Sequence, residues 1–257
     1  MIIDTHIHLD DERYRDDVDA VLLRAAEQGV LKFIIPGADP KTLSRAVELS
    51  QRYEHVYFAV GVHPYDLQSY DRAALIHHIT HPKCVAVGEC GLDYYRLEGS
   101  SDDKEAEKTR QKELFRSQIA LAKAYAKPLI VHIRDAGSDA KALLEQENAS
   151  EVGGVLHCYN ADEQLLSLAD DGFYFGIGGV LTFKNARKLV QVLPKIPLNR
   201  LVIETDGPYL TPHPHRGERN EPAYTTFVAE KMAELLKQSR HYVEKLTTQN
   251  ATNLFKI

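Results

Sequence analysis

Short runs of β-branched and aromatic residues alternate along the chain with longer stretches of helical period. The short runs lie at 2–9, 32–37, 56–64, 85–92, 128–134, 153–160, 173–179 and 201–208. Each is rich in Val, Ile, Tyr or Phe and ends near Gly, Pro, Asn or Asp, which predicts buried strands closed by turns. The stretch DPKTLSRAVELSQRY predicts a helix with Asp39 as its N-cap and Pro40 at the first helical position. A longer one, DDKEAEKTRQKELFRSQIALAKAYAK, carries an apolar stripe at Leu114, Phe115, Ile119, Leu121 and Ala122. AYTTFVAEKMAELLKQ and VEKLTTQNATNLF predict two closing helices. Strands alternating with helices imply parallel pairing through crossovers. Eight such units in 257 residues predict an α/β fold, a (β/α)8 TIM barrel forming one domain over 1–257. An open doubly wound sheet is the alternative, but no Gly-rich dinucleotide fingerprint follows the first strand.

Polar residues interrupt the apolar pattern at one end of the runs. In the first run, alternation puts Asp4, His6 and His8 on one face and Ile3, Thr5 and Ile7 on the other. Burying that polar face is costly unless something satisfies it. The other runs end with His63, with Glu89 and Asp93, with His132 and Arg134, with His157 and Tyr159, and with Glu204 and Asp206. A barrel places its active site at these C-terminal ends. Imidazoles and carboxylates converging from six strands predict a metal centre rather than a set of unrelated core histidines. The same alternation turns Cys90 and Cys158 toward the surrounding helices, leaving nitrogen and oxygen donors. Such a set suits Zn, Mn, Ni, Co or Mg and does not choose among them. One ion with an open position needs three or four donors. The six here are His6, His8, Glu89, His132, His157 and Asp206, enough for two ions if Glu89 bridges them. Two ions about 3.5–4 Å apart activate water and stabilise attacking and leaving oxygens, an arrangement suited to phosphoester hydrolysis. Glu204 and Asp4, each two residues before a donor, are expected to orient ligating histidines.

Composition narrows the partners. The net charge of −6 argues against a protein that coats nucleic acid through a broad basic face, though not against a locally positive site. Cys84, Cys90 and Cys158 have no CxxC spacing and fit a reducing compartment. The first residues lack the basic and apolar regions of a signal peptide, and no apolar run approaches the roughly 18 residues that span a bilayer. A cytoplasmic location without membrane contact is therefore expected.

The motifs DTHIHLD (4–10), GVHP (61–64), GECGLDYYR (88–96), PLIVHIRDA (128–136), GVLHCYN (154–160), LTFKNA (181–186), ETDGPYLTP (204–212) and HRGERNEP (215–222) run in order through the whole chain. In this combination the chain resembles the TatD family of metal-dependent deoxyribonucleases, within the amidohydrolase-like barrels. The resemblance implies two divalent cations (Mg2+, Mn2+ or Zn2+) and hydrolysis of nucleic-acid phosphodiesters, as a 3′–5′ exonuclease or an endonuclease. Carried across by motif, His6, His8, Glu89 and Asp206 hold one ion, and Glu89, His132 and His157 the other. Tyr65, Cys90 and Gly207 depart from the family's commoner residues, and none is a ligand. Asp206 and Glu89 are the expected catalytic carboxylates, with Asp206 able to take a proton from water. His63 is expected to contact a substrate phosphate. Arg134, Lys184 and Arg216, in loops after the fifth, seventh and eighth strands, are candidate phosphate partners. Tyr159, and less so Tyr94 and Tyr95, could stack bases. The competing reading is a hydrolase of the same fold acting on another ester or amide, such as D-aminoacyl-tRNA. Barrels that bridge their metals with a carboxylated lysine are disfavoured, because the bridging strand offers Glu89.

Overall fold

In the computed structural model, which describes residues 1–257, each strand pairs in parallel with its neighbours in sequence, in the order β1 to β8. The strands are β1 (Ile2–Asp4), β2 (Val30–Ile35), β3 (Val56–Val60), β4 (Cys84–Asp93), β5 (Leu129–Arg134), β6 (Gly154–Leu156), β7 (Phe173–Ile177) and β8 (Leu201–Ile203). The helices are α1 (Val18–Glu27), α2 (Leu43–Arg52), α3 (Arg72–Ile79), α4 (Ser101–Ala124), α5 (Gly137–Gln146), α6 (Arg187–Val192), α7 (Thr225–Leu236) and α8 (Arg240–Phe255). The crossover from β6 to β7 is a 3-10 helix, Glu163–Ala169. This is the expected TIM barrel. No helix is long and apolar enough to cross a membrane.

The barrel closes through a narrow seam between its first and last strands. Thr5 N–H donates to the Ile203 carbonyl (3.1 Å), Asp206 N–H to that of His6 (2.9 Å) and His8 N–H to that of Gly207 (2.9 Å). The Asp4 carboxylate is fully buried there. It accepts from Thr205 N–H (3.0 Å), Thr205 Oγ1–H (2.6 Å) and His6 N–H (3.3 Å). Asp4 thus ties β1 to the chain leaving β8 and does not orient the His6 ring, contrary to expectation. Strand geometry explains the change: β1 ends at Asp4, so the carboxylate meets the backbone of its neighbour before it can reach a side chain two residues on.

Two apolar layers flank the strands. The larger lies between sheet and helices and includes Cys90 and the expected α4 residues Leu114, Phe115, Ile119, Leu121 and Ala122. The smaller fills the barrel interior with Ile3, Ile34, Ala86, Ile130, Val155 and Val202, and α8 packs Ala251, Leu254 and Phe255 against it. Asn250 fixes that helix by donating to the Leu198 and Leu201 carbonyls at the start of β8. Burial of this kind contributes about 25 cal/mol per Å² of apolar surface.

Several element ends differ from expectation. Pro40 opens a turn in which the Asp39 carboxylate accepts from Lys41 N–H, and α2 starts only at Leu43, after Thr42. Helix α4 starts at a reciprocal cap in which Ser100 and Asp103 each bond the other's backbone N–H. Most strands stop earlier than their apolar runs. His6, His8, His63, His157 and Asp206 all lie just beyond the strands, His157 in a turn and Asp206 at a positive φ of 56°.

Candidate metal centre

Glu89 sits inside β4, the longest strand. Between Val87 and Cys90, β4 advances three residues while β5 advances two, from Leu129 to Val131. This bulge lets Val87 and Cys90 both face the outer layer while Glu89 turns inward. Gly88 (φ 152°) makes the approach possible, since a Cβ there would stand 2.5 Å from the Ile130 carbonyl oxygen. Helix α4 fixes the neighbouring chain. Gln118 bonds both backbone groups of Val62, beside His63, and Gln111 bonds both of Asp93. Sequence reading missed these two glutamines. Their one visible signal is polar positions on the buried stripe of a helix.

The buried Glu89 carboxylate divides between two groups of donors. Its Oε1 lies 2.9 Å from His132 Nδ1 and 3.1 Å from His157 Nε2. Those two nitrogens are 3.3 Å apart. Its Oε2 lies 3.3 Å from His6 Nε2 and 3.9 Å from His8 Nε2. Asp206 Oδ1 completes this second group, 3.7 Å from His6 Nε2 and 3.5 Å from His8 Nε2. Donors about 2.0–2.2 Å from a tetrahedral ion stand roughly 3.3–3.6 Å from one another. The first group, at 2.9–3.3 Å, is slightly tighter than that spacing, and the second, at 3.3–3.9 Å, brackets it. His6 Nε2 is buried and lacks an aligned hydrogen-bond partner, a costly state for a polar atom that a bound cation relieves. The nitrogen and oxygen donor set therefore fits a divalent cation at each group.

Supporting contacts orient the imidazoles. His132 Nε2 is 2.9 Å from Asp93 Oδ2, which leaves Nδ1 facing Glu89. Glu204, fully buried, places Oε1 3.5 Å from His157 Nδ1 without an aligned hydrogen bond and accepts the Cys158 N–H. Its other oxygen occupies the space above Gly176, where a Cβ would stand 2.1 Å away. Electrostatics follows from this packing. Burial pushes the Glu89 carboxyl upward, but the His157 charge and the close nitrogens of His132, His157 and His6 outweigh it and hold it well below the usual range. Burial pushes Asp206 the same way, and the hydrogen bond from His8 with the nearby imidazoles reverses it. His63 is lowered to about 4, chiefly by burial. Its Nδ1 accepts from Tyr65 N–H (3.1 Å), so Nε2 carries the proton and points toward Glu89 Oε1, 3.6 Å away.

A cleft of about 590 Å³ opens beside the donors, and the structure sorts the remaining candidates around it. Arg134 lines it from the last position of β5 rather than from the loop after it. Arg96 and Lys188 also line it and were not foreseen. None of these three cations has a carboxylate partner, whereas Arg24, Arg52, Arg219 and Arg240 are all paired. Lys184 is exposed and does not line the cleft, because the start of α6 presents Lys188 instead. Arg216 turns away, donating to the Thr211 carbonyl (2.8 Å) and stacking on Phe183 (3.8 Å). Tyr159 borders the cleft but is only 4% exposed, edge-to-face with Phe175, with its hydroxyl on the Asp162 carbonyl. Its ring face is thus spent on packing. Cys158 lines the cleft rather than facing the helices, because its φ of 45° breaks the alternation just after β6.

Comparison with known proteins agrees with this geometry. The family model for TatD-related DNases matches residues 3–256. The chain belongs to the TatD-related DNase family. A TatD relative in Bacillus subtilis, the uncharacterized metal-dependent hydrolase YabD, is 43% identical, with all of both chains covered. The 3′–5′ ssDNA/RNA exonuclease TatD of Salmonella typhimurium is 33% identical, over all of this chain and 99% of that one. Among solved structures, the TatD homologue YJJV from Escherichia coli superposes with a TM-score of 0.90 at 31% identity, covering 100% of this chain and 98% of that one. A TatD-family hydrolase of Entamoeba histolytica follows at 0.84 and 25%, covering 99% and 97%.

Proposed function

We propose that this TatD-family protein hydrolyses nucleic-acid phosphodiesters as a 3′–5′ exonuclease, with two divalent cations bridged by Glu89. The observation that carries this reading is the division of the Glu89 oxygens between two groups of imidazole nitrogens, each gathered within 4 Å of one carboxylate oxygen. The exonuclease name of the Salmonella relative supports the substrate class. Such cations, when bound, supply a polarised water and neutralise charge at the attacked phosphate. His6, His8 and Asp206 hold one, and His132 and His157 hold the other, with Glu89 shared. Asp206, ionised at neutral pH, accepts the proton of the attacking water. His63 stays neutral and donates its Nε2–H to a phosphate oxygen. Arg96, Arg134 and Lys188, unpaired on the cleft wall, bind the flanking phosphates.

The test is degradation of a 3′-labelled single-stranded oligonucleotide with Mg2+ or Mn2+, with and without EDTA. Loss of label in the presence of metal, abolished by EDTA, is expected. A substrate left intact across several metals, alongside release of a D-amino acid from tRNA, overturns the reading in favour of the deacylase alternative.

A further inference from the structure

Three of the protein's exposed large side chains stand around the candidate metal centre. Tyr95 is 58% exposed, Tyr209 48% and Tyr65 38%. Each ring carries an arginine: Arg134 lies 3.7 Å above Tyr95, Arg13 4.3 Å from Tyr209 and Arg96 5.5 Å from Tyr65. Tyr65 stands beside His63, with ring centroids 5.0 Å apart, and Tyr209 stands edge-on to His8 at 6.1 Å. The loops that carry them follow β3, β4 and β8. In a closed circuit of eight strands, β4 and β8 are opposite one another. Tyr209 lines the cleft itself, and Tyr95 and Tyr65 adjoin it through Arg134 and Arg96, which line it.

We propose that Tyr95, Tyr209 and Tyr65 are stacking platforms for unpaired bases, and that they make this cleft select single strands over duplex. The inference rests on the proposed phosphodiester hydrolysis and names its specificity residues. The chemistry follows from the two partners in each pair. An arginine over a ring fixes its orientation and adds positive charge beside it. The exposed remainder of the ring can take a base, and stacking of this kind tolerates any sequence. Arg96 and Arg134 also line the cleft, where a backbone phosphate between two stacked bases would lie. A duplex keeps its bases paired and stacked on each other, so it cannot offer their faces to separate rings in and beside the cleft. Tyr159, buried against Phe175, plays no part in this track.

The experiment measures binding of a fluorescent single-stranded oligonucleotide with phosphorothioate linkages, in Mg2+, by anisotropy. Tyr95→Ala and Tyr209→Ala are each expected to weaken binding about ten-fold, the loss of one stacked base. Tyr95→Phe and Tyr209→Phe, which keep the ring, are expected to bind within about two-fold of the wild type. Tyr242→Ala, at another exposed tyrosine, on α8, serves as the control and leaves binding unchanged. A blunt duplex is expected to bind more weakly than the single strand. Alanine variants that bind the single strand as tightly as the wild type, or a wild type that prefers duplex, overturn the proposal. Cleavage of an unmodified strand is followed in parallel. Absent cleavage with the binding pattern intact overturns the hydrolase reading alone, and normal cleavage with flat binding overturns this inference alone.

Discussion

At the N-terminal end of the barrel, Ile3, Ile34, Ala86, Val155 and Val202 meet Leu254 and Phe255 of α8 in one apolar cluster. At the C-terminal end, the continuations of the same strands deliver His6, Glu89, His157 and Asp206 into one space. The two ends solve different physical problems. The lower end lowers free energy by removing apolar surface from water. The upper end gathers buried polar atoms that are costly in each other's company without a cation. The strands let one end bear the cost of the other, so changes at the two ends should separate stability from activity.

The largest expected effect is at the upper end. Glu89→Gln removes the shared carboxylate charge and is expected to lower kcat by about 10³-fold or more, with the fold retained. Steady-state kinetics, metal analysis and circular dichroism check this together. Retained activity and full metal content in that variant would break the comparison. At the lower end, Phe255→Ala is expected to cost about 3–5 kcal/mol through the cavity it opens beneath the barrel. That corresponds to a lowering of Tm by roughly 2–4 °C per kcal/mol in a chain of this size. Below the melting range its kcat is expected to match the wild type, and a matching loss of activity would show that the two ends are coupled.

The smallest effect lies between the ends, where α1 meets the loop after β8. Glu221 receives a two-pronged contact from Arg24 (2.7 and 2.8 Å) and a third from Arg219 (2.7 Å). Burial pushes the Glu221 carboxyl up, and the two arginines more than reverse it, so its folded value lies below the ordinary 4.5. A carboxylate lowered on folding adds stability above its unfolded pKa, and that stability is lost as pH falls through the folded value. Glu221→Gln is expected to cost about 1–2 kcal/mol at neutral pH, a range reduced because Arg24 is partly solvated. The gap between variant and wild type should shrink as pH falls below 4.5 in denaturant titrations. A gap that is constant into acid would show that the ion pairs contribute nothing there.

Much of this was legible from residue pattern. β-branched runs separated by helical stretches, and the placement of His and acidic residues at the ends of the runs, were enough for the barrel and for the gathering of donors. Pattern failed where backbone conformation changes without a change of residue type. The runs through His6, His63 and His157 keep alternating after the ladders stop, so the strands looked longer than they are. Cys158, at positive φ, leaves the alternation with no sequence mark. Asp4 was misjudged because its partner, Thr205, is 201 residues away. Lys188 and Arg96 escaped notice because an exposed cation looks the same whether it faces a cleft or open water. Tyr159 attracted attention by its motif, and Phe175 had already claimed its ring.

The seam between β1 and β8 has a topological consequence. His6 and His8 belong to the chain leaving the first strand and Asp206 to the chain leaving the last, 198 to 200 positions on. A few backbone hydrogen bonds, the Asp4–Thr205 contact and the Thr5 hydroxyl on the Ile203 carbonyl otherwise close that joint. A cation shared by these three side chains is a clasp across the circuit: it fastens the two ends of a long loop that would be slow to find one another. The other donor group, on β4, β5 and the chain after β6, spans no such joint. The two ions of one centre would then differ in what they hold together, one stapling the barrel shut and the other resting on strands already joined.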